Sequence, residues 1–375
     1  MGKKQRISDF IAESKIARRG VILGLYFMSF GAFLLMPFLK DYLFPPTALY
    51  VYAFMDMFHP ESIARFEQEH GVKVVLRYFE SNEELLAKFK ITGGAGYDVI
   101  DSSDYMITHL RNENLLLALD RSKIPTMQQL DARLLGKKYD PGNEYSVPFS
   151  WIPYGIIFHK EIFLKQPEEM GLHLLFKDPA LRSGGVVMPY RICMTDDSRE
   201  AIFLANLYLF GDVLSWEPER LVQVEALLIK QKEWVESYVN QDLAYQLLSG
   251  LIKVAFAPLF AVDKVLKQSK DFIFMIPKEG SLYAIENLAI PKLSKQVALA
   301  HKFINFMIGR DESALMSNHY GMNPANKEAY ALLRLEVTQN KHRFPDDECF
   351  ARLHLTPNDI PLKAFEEIWL AVKSC

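Results

Sequence analysis

The chain has 375 residues, half of them hydrophobic and 24% charged, which is enough for two packed domains. Its formal net charge of −3 is uneven: residues 1–40 carry seven Lys/Arg against two Asp/Glu, leaving 36 against 44 in the remainder. A mildly acidic body excludes the basic face that nucleic-acid binding requires, and the three scattered cysteines, Cys193, Cys349 and Cys375, exclude a disulfide framework or a zinc site.

The first element is an uncharged run of nineteen residues, 21–39, whose helical length matches the hydrocarbon core of a bilayer. Lys3, Lys4, Arg6, Lys15, Arg18 and Arg19 precede it, so residues 1–20 are expected in the cytoplasm and the body on the far side. The run ends Met36-Pro37-Phe38-Leu39 with no small-residue cleavage pattern, which favours an uncleaved signal anchor over a cleaved signal peptide. Residues 40–47, with Pro45-Pro46, read as a stiff linker.

Beyond the linker, strands and helices alternate. Leu49–Tyr52 is a strand by its aromatic and β-branched content, and Pro60–His70 an amphipathic helix stopped by Gly71. Val72–Phe79 is the next strand and Asn82–Lys90 the next helix. Gly93-Gly94-Ala95-Gly96 has no Lys-Ser/Thr after it, so it reads as a turn and not a phosphate loop before the strand Tyr97–Ile100. This alternation implies a mainly parallel sheet covered by helices, with ligands beyond the carboxyl ends of its strands. The loops 53–58 and 101–105 are therefore the places to look for chemistry.

Further along, Thr195-Asp196-Asp197-Ser198-Arg199-Glu200 stands where a strand gives way to the apolar segment 201–210. Two readings are open. Asp197 and Glu200 have the spacing of a capping box, or their carboxylates project into a cleft and hold a cation. Neither these acids nor any other residues form a recognisable nucleophile–base pair, so an enzyme is not expected.

Several segments together resemble the spermidine/putrescine-binding proteins, the substrate-binding components of polyamine ABC transporters. They are Leu49–Tyr52, His70–Val74, Tyr78–Glu83, Gly96–Ile100, Tyr145–Phe149, Leu175–Pro179, Thr195–Glu200, Pro277–Gly280, Asn287–Pro291, Phe303–Phe306 and Tyr320–Pro324, spread over residues 48–375. The resemblance implies the two-lobed α/β fold of the type II periplasmic binding proteins, each lobe a mainly parallel sheet flanked by helices. Residues 48–150 and 287–330 would form one lobe, and 151–286 and 331–375 the other. It also implies a periplasmic location, a permease with its ATPase as partners, and capture of a polyamine between closing lobes. A membrane-anchored sensing or scaffolding module that has lost transport is the alternative.

Carried over residue by residue, the resemblance puts Asp56, Asp104, Asp197, Glu200 and Glu286 around the ligand's ammonium groups. Phe54, Ser102 and Tyr283 complete the expected ligand-binding set. Ammonium groups leaving water need acceptors and opposing charge, and aromatic faces add cation–π attraction. Much of the family's aromatic box is replaced, with Met55 and Met57 in its first loop and Ala284 next to Tyr283. The segment Pro189–Met194 lengthens the approach to the acidic turn.

Overall fold

A computed structural model of the chain describes residues 47–162, 171–179, 190–211, 215–238, 242–357 and 360–375. The expected cytoplasmic segment, the anchor 21–39 and nearly all of the linker lie outside the described residues. Among those residues no helix is long and apolar enough to cross a membrane.

By its contacts the chain divides into two units. Of the described residues the first includes 47–48 and 67–73; within it the Lys73 amide donates to the Thr47 oxygen at 2.9 Å, and the Lys73 ammonium meets Glu67 at 3.0 Å. The second comprises residues 49–66 and 74–375 and carries the candidate site.

Strand β1 is Ala48–Ala53, followed by helix α1, Pro60–His70, and strand β2, Lys73–Tyr78. Helix α2, Asn82–Thr92, starts where Ser81 accepts from the Glu84 amide, and ends at Gly93, whose φ of 66° lets the chain turn left-handed. Strand β3 is Val99–Ser103, later than the expected 97–100. Asp101, Ser102 and Ser103 were expected in a loop but are all buried in the strand. Antiparallel pairing from Ile100↔Ala289 to Ser103↔Glu286 accounts for the extension, because it satisfies their backbone groups. Helix α3, Asp104–Asn112, follows without a loop.

Strand β4, Ser146–His159, organises the rest. Its first half, Ser146 to Pro153, pairs antiparallel with strand β9, Ser281–Ala289. From Tyr154 onward it pairs instead with β7, Val254–Pro258, and β8, Phe272–Met275. Strands β5, Ile192–Met194, and β6, Val235–Tyr238, extend that second half, giving the order β2-β1-β3-β9-β4-β7-β5-β6. Ile192–Met194, within the lengthened approach, is thus an ordinary sheet strand; Pro189 lies outside the described residues. At the change of partners sits Gly155, where a Cβ would collide with the Met275 carbonyl oxygen and lie 2.7 Å from the Phe274 ring. Glycine permits that approach.

Helices cover the second half. Helix α4, Ser198–Phe210, buries Ala201 to Leu207 without a break, so it lies inside the core and not on its surface. It packs with α5, Pro218–Gln231, and α6, Leu362–Ser374. Their shared cluster includes Phe158, Phe203, Val224, Phe256 and Phe365, each nearly or wholly buried. Burying one such side chain contributes about 1.5–3 kcal/mol, so this half is held mainly by apolar packing.

Candidate binding site

The site is built around Tyr154, the first residue of β4 after the strand leaves β9. Burial and the charges of Glu200, Glu286 and Asp197 push the pKa of its phenol well above the usual tyrosine value, with Glu200 also acting through a hydrogen bond. Two carboxyls therefore act on one phenol from different elements, Glu286 from β9 and Glu200 from the first turn of α4.

Sheet register places Glu286. It lies opposite Ser103 on β3 and Ser150 on β4, and it is 7% exposed. The Ser103 hydroxyl contacts both its oxygens, at 3.2 and 3.3 Å, and in turn accepts from Asn82 Nδ2 at 3.0 Å. Burial raises the Glu286 pKa well above the carboxylate range, with Asp101 and Asp104 adding to the rise and Ser103 opposing it.

A turn and a cap place Glu200. The Thr195 hydroxyl donates to its Oε2 at 2.5 Å, while the Thr195 Oγ1 also accepts from the Asp197 amide at 3.1 Å. Asp197 caps α4 by accepting from the Arg199 amide at 2.8 Å. Only half of a capping box is present, because Thr195 takes the amide that Glu200 would have reached. The carboxyl of Glu200 is enclosed although the residue keeps some exposure. Burial, helped by Asp197, lifts its pKa to about 7, against Thr195, Arg199 and Tyr154.

Arg199 supplies the local positive charge. Its guanidinium binds Asp197 through Nε at 3.1 Å and Nη2 at 2.5 Å, and it lies 3.9 Å above the Tyr105 ring. The Tyr105 hydroxyl donates to Glu83 at 3.1 Å. Asp104 feels Arg199 as well, and its Oδ2 accepts from the Ile285 amide at 3.3 Å. Burial still raises the Asp104 pKa to about 7.

The expected residues thus separate into groups. Asp197, Glu200 and Glu286 all act electrostatically on Tyr154, and Asp104 acts on Tyr283. The Tyr283 ring packs against Phe350 and Trp151 at 5.1 and 6.4 Å. Ser102 bonds to Asn82 Oδ1 at 3.3 Å, and it is Ser103 that touches Glu286. Phe54 rests on Phe79 at 4.3 Å. Asp56 is exposed, adopts a φ of 64°, and lines a separate cavity of about 230 Å³ with Phe58, Pro60, Ile63, Leu76, Tyr78 and Tyr320. Asp196 faces away and pairs with Lys373 at 2.6 Å.

Asp101, Ser103, Tyr105, Tyr154 and Arg199 were not singled out from the sequence. Three of them fall within the stretch 101–105 already marked for chemistry. Among the described residues no group of three or more His, Cys, Asp or Glu is arranged to hold a metal ion.

Comparison with known proteins bears on this geometry. The profile of the bacterial extracellular solute-binding proteins matches residues 61–345. Spermidine/putrescine-binding periplasmic protein 1 of Haemophilus influenzae is 30% identical over 307 residues, covering 82% of this chain and 83% of that one. The putrescine/cadaverine-binding protein of Pseudomonas aeruginosa is 26% identical, covering 87% and 93%. The spermidine/putrescine ABC transporter substrate-binding protein of Streptococcus pneumoniae superposes with a TM-score of 0.78 at 26% identity, covering 88% of this chain and 99% of that one.

Proposed function

The chain belongs to the bacterial extracellular solute-binding protein family, and we propose that it captures a polyamine of the putrescine–spermidine class for an ABC importer. Members share a two-lobed α/β fold and act outside the cytoplasm by binding, not by catalysis. The observation that carries the choice of ligand is the pair Glu286 and Glu200. Both carboxyls act on Tyr154, and among the described residues neither forms a salt bridge, Arg199 being committed to Asp197. Two enclosed acids that one engaged arginine does not neutralise call for a cation from outside. Family membership favours import over a sensing or scaffolding role.

In this reading Glu286 and Glu200 accept the ammonium groups and the Tyr154 phenol lies between them. Asp104 and Asp197 add negative charge, tempered by Arg199, and Tyr283 and Phe54 supply ring surface for methylenes. Ser102 steadies Asn82 and through it Ser103, while Asp56 acts from its own pocket at the rim. The lobes would be 48–150 with 287–330 and 151–286 with 331–375. The exchange of β4 partners between Pro153 and Tyr154 supports a joint close to that boundary. Closure about such a joint is a common way to report occupancy to a permease.

The direct test is thermal unfolding of the protein with putrescine, cadaverine, spermidine and a neutral diol of matching length. The amines are expected to raise the melting temperature with concentration, as mass action requires, and the diol to leave it unchanged. No shift with any amine at millimolar concentration would refute the proposal.

The nineteen uncharged residues 21–39 behind a basic segment support anchoring at the membrane. The full chain is expected to stay with the membrane pellet after an alkaline carbonate wash. Recovery in the soluble fraction, shortened at the amino terminus, would show cleavage instead.

A further inference from the structure

Asp101 is fully buried on β3, and among the described residues no side chain donates to its carboxyl, which has only the Phe54 amide to oppose its charge loss. Register explains what it faces. Ser103 lies opposite Glu286 and Asp101 opposite Leu288, so Asp101 and Ser103 share a sheet face with Glu286 and Leu288. Diagonal neighbours of this kind stand about 7–8 Å apart, within reach of long side chains. The influence of Asp101 on Glu286 agrees with that placement. An ionised carboxylate with no donor and no cation is among the costliest groups to bury, whereas the neutral acid costs far less. The surroundings offer Asp101 little help: burial raises its pKa to about 8, and the Phe54 amide is the group opposing the rise. The other charged or titratable groups around the pair are Asp104 on α3, Tyr154 on β4 and Glu200 on α4. Arg199 is bound to Asp197 and acts on Asp104 and Glu200.

We propose that one of the two carboxyls Asp101 and Glu286 is kept protonated in the unliganded protein, and that docking of a cationic amine at Glu286 expels that proton to solvent. One neutral carboxyl becomes a carboxylate, the ammonium replaces the proton as its countercharge, and the net charge of the site rises by one less than the ligand brings. The inference rests on the polyamine reading of the same site. Binding then strengthens as pH rises, by up to about tenfold per pH unit while one proton is displaced, and levels off above the pKa of the pair.

Folding carries the same linkage with its own sign. A carboxyl whose pKa is raised in the folded state binds more protons folded than unfolded between about pH 4 and the folded value. Its contribution to stability therefore falls as pH rises through that window, up to about pH 8 for Asp101.

The test combines infrared spectroscopy of the full chain with putrescine calorimetry in two buffers of different protonation enthalpy. At pH 7 the unliganded protein is expected to show a neutral-carboxyl band that weakens both in Asp101→Asn and in the wild type on adding putrescine. The wild type is expected to release about one proton per putrescine, and Asp101→Asn to bind putrescine with clearly less release. Absence of the band, an undiminished band with ligand, or equal release from the variant would overturn the proposal. Should Asp101→Asn fail to fold, Asp101→Val is the second variant, and the wild-type band and its loss on binding decide by themselves. Failure of every amine to bind overturns the function together with proton expulsion, whereas amine binding without proton release overturns this inference alone.

Discussion

Replacing Glu286 with Gln is expected to weaken putrescine binding by about 100-fold or more while leaving the fold intact. Removing one partner of an enclosed, hydrogen-bonded charge pair costs roughly 2–5 kcal/mol, and about 2.8 kcal/mol is two orders of magnitude in affinity. Glutamine keeps the shape, and its amide oxygen can still accept from Ser103, which contacts Glu286 at 3.2 Å. It lacks the charge that a bound ammonium needs. The same substitution relieves the unliganded protein of an acid crowded by Asp101 and Asp104. Stability and binding should therefore move in opposite directions: the melting temperature without ligand rises or holds, and the rise caused by putrescine vanishes. Calorimetric affinity within threefold of the wild type would exclude Glu286 as the principal acceptor.

Arg199→Ala is expected to do the reverse. The guanidinium makes two hydrogen bonds to Asp197 and stacks on Tyr105, and its side chain is 18% exposed. Breaking a pair that is largely buried costs about 3 kcal/mol, because the remaining carboxylate is left without its counter-ion. Loss of the stack adds about 0.5–1 kcal/mol. Asp197 and Asp104, no longer compensated, then attract an added cation more strongly, so putrescine should restore part of the lost stability. Denaturant unfolding with and without putrescine measures both effects. The expected result is a lower midpoint without ligand and a larger ligand-induced gain than in the wild type. Arg199→Lys keeps the charge but loses the planar two-point contact and the flat stack, and should fall between the two. An unchanged midpoint in Arg199→Ala would remove Arg199 from any structural role in the site.

These two substitutions concern residues of unequal legibility. Glu286 stood out through the likeness of its surroundings to a family pattern. Arg199 did not, although it lies between the two acids that did. Along the chain it is merely a basic residue in the first turn ahead of an apolar segment, where solvent exposure is the ordinary outcome. That its guanidinium lies over Tyr105, 3.9 Å away in space, depends on how α4 packs relative to α3.

Ser102 and Asp104, expected at the ligand, show a related effect of a single residue step. In a strand, neighbours point to opposite faces, so a shift of one position exchanges the residues presented to the site. Pairing Ser103 with Glu286 turns Ser103 toward the acid, while Ser102 bonds to Asn82, which itself donates to Ser103. The helix that starts at Asp104 then carries Tyr105 to Arg199. The row Ser102-Ser103-Asp104-Tyr105 announces a polar strand end but contains no indication of its register.

What the sequence determined by itself follows from local physics. Ser81 and Gly93 bound a helix because one caps its first turn and the other accepts a left-handed backbone. Asp197 caps α4 for the same local reason, and the apolar run 201–210 requires burial. The acidic balance of the body argued against a nucleic-acid partner, and the alternation of strands and helices pointed to an α/β architecture. Tertiary structure alone decided which acids meet. It brought Tyr154, where β4 changes partners, under the influence of Glu286 and Glu200, set Asp56 apart in another cavity, and enclosed Asp101 with no side chain donating to it. The physical reason is that desolvation and Coulomb coupling depend on distances across the sheet, whereas caps, turns and hydrophobic periodicity depend on neighbours along the chain.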